Sequence, residues 1–149
     1  LRLATNRAAT GVDATWLAWV QGSIDDTPSR LRALRLGPDR ANAPDSLASG
    51  GTDTLAHRMG LVVDPRGNAL AAWLESALPG DRVRTVRYGA LPGTWGAPQP
   101  FGSDMGFSGA SVEDLAVNAA GDILLGWRGV AIDDRGDITH RPLRTRRFE

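Results

Sequence analysis

Trp19, Trp73 and Trp127 stand 54 residues apart, and their surroundings match: ATWLAWVQ (14–21), NALAAWLE (68–75) and DILLGWRG (122–129). Upstream lie LATN (3–6), LVVD (61–64) and LAVN (115–118), each ending in Asn or Asp. Downstream, LRALRL (31–36), VRTVRY (83–88) and LRTRRF (143–148) share an apolar-Arg-small-x-Arg-apolar pattern. A fourth segment recurs as APDSLAS (43–49) and APQPFGS (97–103). Four matched segments in one order define a repeat. A single unit of this kind cannot bury its apolar residues alone and has to stack on its neighbours. The chain therefore reads as one repeat domain over 1–149, divided into 1–56, 57–110 and an incomplete 111–149.

Each segment, A to D, reads as a short strand. DPRGN (64–68) and NAAGD (118–122) join A to B, and their Gly, Asn and Asp residues tolerate the backbone of a tight hairpin. Segment B is apolar on both alternating sets: Trp16, Ala18 and Val20 on one, Leu17 and Trp19 on the other. A strand with one wet face would alternate, so B is expected to be covered on both sides. Segment D carries Pro44, Pro98 and Pro100, which suit an outer edge. In segment C, Arg32 and Arg35, Arg84 and Arg87, and Arg144 and Arg147 are spaced by three, which sends the two members of each pair to opposite faces. They are expected to form ion pairs or pack between sheets rather than to make one arginine cluster.

Four short antiparallel strands with doubly buried inner strands describe a β-propeller blade. The expected fold is all-β and propeller-like, with about three four-stranded blades, the last lacking its outer strand. A β-sandwich of about 11 strands is the alternative. The repeat LVVDPRGNALAAWLES…RVRTVRYGALPGTWGAPQPF (61–101) resembles the blade repeats of bacterial, often exported, sialidase-like propeller proteins. That resemblance implies a ring fold and an exported setting (periplasmic, secreted or cell-surface). The Asp-box of sialidases, Ser-x-Asp-x-Gly-x-Thr-Trp, is not matched, and only GTW at 93–95 keeps its ending. A ring typically needs about 4–8 blades. The chain is therefore expected to be a fragment of a longer propeller, a view its first residue, Leu1, also suggests, or to pair as a homodimer.

Up-and-down strand order gathers the B–C and D–A loops on one face. That face is expected to hold Asp25, Asp26, Asp53, His57, Arg58, Asp104, Glu113, Asp114, Asp133, Asp134, Arg135, Asp137 and His140. Binding groups commonly sit on loops held by a rigid scaffold, so candidate ligand contacts are Asp25, Asp26, His57, Arg58, Asp133, Asp134, Arg135, Asp137 and His140. Trp95 joins them as a ring that could stack on a ligand. The bland reading is a set of solvated loop charges. IDDRGD (132–137) departs from the D-x-[DN]-x-[DN]-G calcium loop, so no metal or other cofactor is expected. Arg135-Gly136-Asp137 matches a tripeptide of some integrin ligands, although a hairpin tip needs the same residues.

Composition narrows the function classes. Seventeen arginines balance 17 acidic residues, and there is no Lys, so no net field draws the chain to nucleic acid. The absence of Cys removes disulfides and thiolate chemistry. The longest apolar run, Ala69 to Leu74, is too short to cross a bilayer as a helix. No G-x-S-x-G elbow or complete acid–base constellation is visible. The expectation is a non-catalytic scaffold or binding module for a protein or glycan. The alternative is part of a sialidase-like or lyase-like enzyme acting on glycans.

Overall fold

The structure is a computed structural model that describes residues 2–6, 14–21, 30–36, 45–49, 56–75, 82–101, 111–128, 131–132, 135, 137–140 and 143–148. These residues form an all-β chain with no helix among them. The first sheet takes β1 (Arg2–Asn6), β2 (Ala14–Gln21), β3 (Arg30–Leu36) and β4 (Asp45–Ser49) in chain order. The second takes β5 (Ala56–Val63), β6 (Ala69–Glu75) and β7 (Arg82–Gly89), edged by the two short strands β8 (Thr94–Trp95) and β9 (Gln99–Pro100). Both short strands pair with β7. The third sheet is β10 (Ser111–Val117), β11 (Ile123–Arg128) and β14 (Leu143–Phe148). Between its last two strands lies a ribbon of β12 (Ala131–Ile132) and β13 (Ile138–His140). Every pairing is antiparallel.

The break in the outer edge of the second sheet follows from its residues. Pro98 and Pro100 lack the N–H that a ladder uses, and the edge across 94–100 is broken into two short strands rather than one. The backbone N–H of Gly96 instead bonds Arg87 O at 2.8 Å, and that of Phe101 bonds Val83 O at 2.8 Å.

Alternation along the strands decides which sheet meets which. In β6, Ala69, Ala71 and Trp73 turn to the first sheet, where they pack with Trp16, Ala18, Leu31 and Ala33. Leu70, Ala72 and Leu74 turn the other way and pack with Leu115, Ile123 and Leu125 of the third sheet. All six residues are buried, as a strand apolar on both alternating sets requires. The second sheet is thus the middle layer of three. In the third sheet the pattern splits: Ile123 and Leu125 are buried while Leu124 is exposed, because only one face has a neighbour.

Aromatic rings fill the two junctions. Trp16 meets Tyr88 edge-on with centroids 4.6 Å apart, and Trp95 lies 5.1 Å from Trp16 and 5.5 Å from Tyr88. The indole N–H groups of Trp16 and Trp95 are buried and find no acceptor among the described residues. At the second junction Phe101 lies 4.8 Å from Trp127 and 5.3 Å from Phe148. Contacts of this kind add about 0.5–1.5 kcal/mol each beyond simple burial.

The sheets come closest along one edge. The inner strand β5 packs against both β1 and β10, whereas β3, β7 and β14 are farther from one another. Gly60 permits this approach, since a Cβ there would overlap the Cδ1 of Leu115 on β10. Both later inner strands carry a bulge at the same repeat position, between His57 and Gly60 in β5 and between Val112 and Asp114 in β10. A bulge adds twist where a strand must bend around a neighbour.

These bulged strands correct one expectation. His57, Arg58, Glu113 and Asp114 were expected in loops, but they lie in β5 and β10, which continue beyond the bulge to pair with the far ends of β6 and β11. His140 likewise belongs to β13 and pairs with Ala131, so the long segment after β11 is folded into a ribbon.

Candidate functional site

The two A–B turns share one architecture. In Asp64–Asn68, Asp64 Oδ1 accepts from the backbone N–H groups of Arg66 and Asn68, both at 2.8 Å. In Asn118–Asp122, Asn118 Oδ1 accepts from those of Ala120 at 3.0 Å and Asp122 at 2.9 Å. Gly67 and Gly121 take φ of 84° and 93°, a left-handed conformation that glycine adopts without steric cost. The acid and the amide have exchanged places. Asn68 Nδ2 donates to Asp64 Oδ2 and Asn118 Nδ2 donates to Asp122 Oδ2, each at 2.8 Å. Beyond the turns, Asn68 Oδ1 accepts from the N–H of Ala90 at 2.9 Å, and Asp122 Oδ2 accepts from Arg147 Nη2 at 2.7 Å.

Stacking of the second and third sheets brings these turns side by side, so that a Cβ on Gly121 would lie 3.3 Å from Asp64 Oδ2. A cleft of about 460 Å³ opens there, with Arg66, Asn68, Arg87, Tyr88, Asp122 and Phe148 among its walls. The Arg87 guanidinium sits 5.0 Å from the centroid of the Phe148 ring, a cation–π arrangement that fixes its direction. A second groove of about 340 Å³ runs along the outer edge between Gln99, Pro100 and Phe148.

The charges of the cleft are arranged for holding rather than for transferring protons. Asp122 is kept below its usual carboxyl range, first by the hydrogen bond from Asn118, against a smaller opposing effect of desolvation. The bond and charge of Arg147 and the charge of Arg66 add to the lowering. It is therefore ionised at neutral pH and cannot serve there as a general acid. Both Asp64 oxygens are engaged within its own turn. Arg66 and Arg87 expose guanidinium donors and the half-buried Phe148 lies beside them, which together suit a polar ligand with an acceptor group. Among the described residues, no group of three or more His, Cys, Asp or Glu could hold a metal ion.

The sequence-predicted contacts lie elsewhere. Asp25, Asp26, Asp133 and Asp134 are outside the described residues. Arg135 and Asp137 are exposed between β12 and β13. His57, Arg58 and His140 are strand residues, as noted, and the structure describes their backbone positions. Trp95 is half-buried and its ring is engaged with Trp16 and Tyr88 at the first junction. Among the described residues, Trp95, Arg135 and Asp137 are not in the walls of the turn-end cleft, and β5 carries its bulged beginning to the opposite end of the second sheet.

Sequence reasoning passed over Arg66, Asn68 and Asp122 as turn residues. The exchanged Asp…Asn and Asn…Asp at one repeat position was the signal available, since an exchange that preserves a donor–acceptor pair marks two turns under the same constraint. The first two arginine pairs of segment C behave as their spacing predicts. Arg32 Nε donates to Gln21 Oε1 at 3.1 Å and Arg84 pairs with Glu75 at 2.6 Å, each within its own sheet. Arg35 and Arg87, on the other face, reach Tyr88 (3.4 Å) and Phe148 of the next sheet. Comparison with known protein-family models finds no match for this chain, and comparison with curated proteins finds none either.

Proposed function

We propose that this chain is part of a β-propeller scaffold that binds a protein or glycan ligand without transforming it. Each sheet is a blade in this reading, with β1, β5 and β10 toward the ring axis. One observation carries it: the same sheet-to-sheet contact is made twice, Arg35 to Tyr88 and Arg87 to Phe148, at equivalent positions of successive repeats. A two-layer sandwich has one interior and leaves each sheet a solvated face. The middle sheet here has neither face free, and the sheets fan out from their inner strands, as blades do. The resemblance to exported bacterial propellers supports an exported setting for the same scaffold.

The turn-end cleft offers Arg66 and Arg87 to an acceptor-rich ligand. The test is a labelled chain applied to glycan and protein arrays, with fluorogenic glycosides, sialosides included, assayed in parallel. The expected result is saturable binding, weakened at least tenfold by Arg66→Ala if the cleft is used, and no glycoside release. Turnover that survives repurification would replace the scaffold reading with an enzyme. Absence of saturable binding across both arrays would remove the binding role.

A further inference from the structure

We propose that a second copy of this chain docks head-to-tail, its first sheet covering the third sheet of its partner, so that two copies close one ring of six sheets. This rests on the radial architecture proposed above and is independent of ligand binding.

The two contacts within the chain are made by the same pair of faces. The face bearing Leu70, Arg87 and Val83 in the second sheet covers the face bearing Leu125, Trp127 and Phe148 in the third. The equivalent faces of the first and second sheets meet in the same way. This leaves two halves of that contact without a neighbouring sheet among the described residues. One is the first sheet's face carrying Leu17, Trp19, Leu34 and Leu36; the other is the third sheet's face carrying Leu124, Leu143 and Arg147.

Exposure marks both halves. Leu143 is 62% exposed, where its repeat equivalents Val83 and Leu31 are 5% and 2% exposed. Leu124 is 47% exposed, where Leu70 is 0% exposed. Leu36 is exposed where Tyr88 is buried and Phe148 half-buried. Three of the four large apolar side chains exposed among the described residues thus lie on these two faces, at positions that are covered wherever a sheet follows or precedes. Arg147 holds the place from which Arg35 and Arg87 reach across to the next sheet, which sets it against Leu36 of the docked copy. The two faces differ from one another, so the contact is heterologous, and it terminates only by closing a ring. Arg128 and Asp114 stand where the second sheet has Leu74 and Gly60, which makes this junction more polar than those within the chain.

The experiment measures the solution mass of the 149-residue chain by light scattering, together with two variants, Leu36→Glu and Leu143→Glu. Both sites are exposed in the single chain, and far-UV circular dichroism checks that each variant keeps its sheets. The wild type is expected as a discrete species near 32 kDa, twice the 15.8 kDa of one chain. Each variant alone is expected as a monomer. An equimolar mixture of the two should regain pairs, because one unaltered face from each variant still makes one complete contact. A monomeric wild type, an open ladder of masses, variants that stay paired, or a mixture that stays monomeric would each overturn the proposal. Array binding by a monomeric wild type would sink the pairing while leaving the scaffold function standing.

Discussion

Leu70 and Leu124 occupy the same repeat position, yet one is enclosed and the other is half exposed. Replacing each with Ala tests the three-layer architecture directly. Leu70→Ala removes three carbons from the buried cluster that Leu70 shares with Leu115 and Leu125, and the transfer cost is about 2.4 kcal/mol at about 0.8 kcal/mol per methylene. Backbone from two sheets frames the site, so it collapses only partly, and the remaining cavity raises the loss to about 3–4 kcal/mol. Leu124→Ala takes away side-chain atoms already half in water and should cost about 1 kcal/mol or less. Urea unfolding followed by circular dichroism provides the assay. With a slope of about 2 kcal/mol/M, Leu70→Ala lowers the midpoint by about 1.5–2 M and Leu124→Ala by about 0.5 M or less. Measurements at low protein concentration isolate the single chain, since association would add stability of its own at high concentration. Equal losses at the two positions, or a loss below about 1 kcal/mol at Leu70, would refute the assignment of the second sheet as the doubly covered layer.

The exchanged turns predict a compensating pair. Asp64→Asn alone sets an amide against the amide of Asn68 and should cost about 1–2 kcal/mol, whereas adding Asn68→Asp rebuilds the Asn118–Asp122 arrangement and should recover about half of that or more in a thermal unfolding cycle. Asp122 gives an acid limb. Its folded pKa lies below the ordinary 3.8, so its contribution is complete above that value and is lost as pH falls through the folded pKa. Urea midpoints measured from pH 5 downward should therefore fall less steeply for Asp122→Asn than for the wild type, and parallel acid limbs would contradict the role of Asn118 and Arg147 in holding the charged form.

Much of the fold was legible because it is local. Alternation within ATWLAWVQ and NALAAWLE places apolar groups on both sides of a strand, and the structure buries both sides of β6. The three-residue spacing of the arginines sends them to opposite faces wherever they are. The bulges were not legible, since the extra residues at 58–59 and 113 show no local signature that distinguishes a longer strand from a loop. Nor was the β12–β13 ribbon, whose few pairing residues resemble any polar connection. The cleft was read as two unrelated hairpin turns, because its walls come from residues about 54 positions apart that no local pattern joins.

The sequence by itself therefore determined the repeat, the order of the A, B and C strands and the alternation of side chains along B and C, all of which depend on steric and hydrogen-bonding rules acting over a few residues. Only the tertiary structure decided what each direction meets. Leu70 and Leu124 follow the same local rule and end in opposite environments because one sheet has neighbours on both sides and the other has one. The turn-end cleft arises for the same reason: burying the apolar faces of two sheets is what brings Asp64 and Gly121 into contact and aims Arg87 at Phe148.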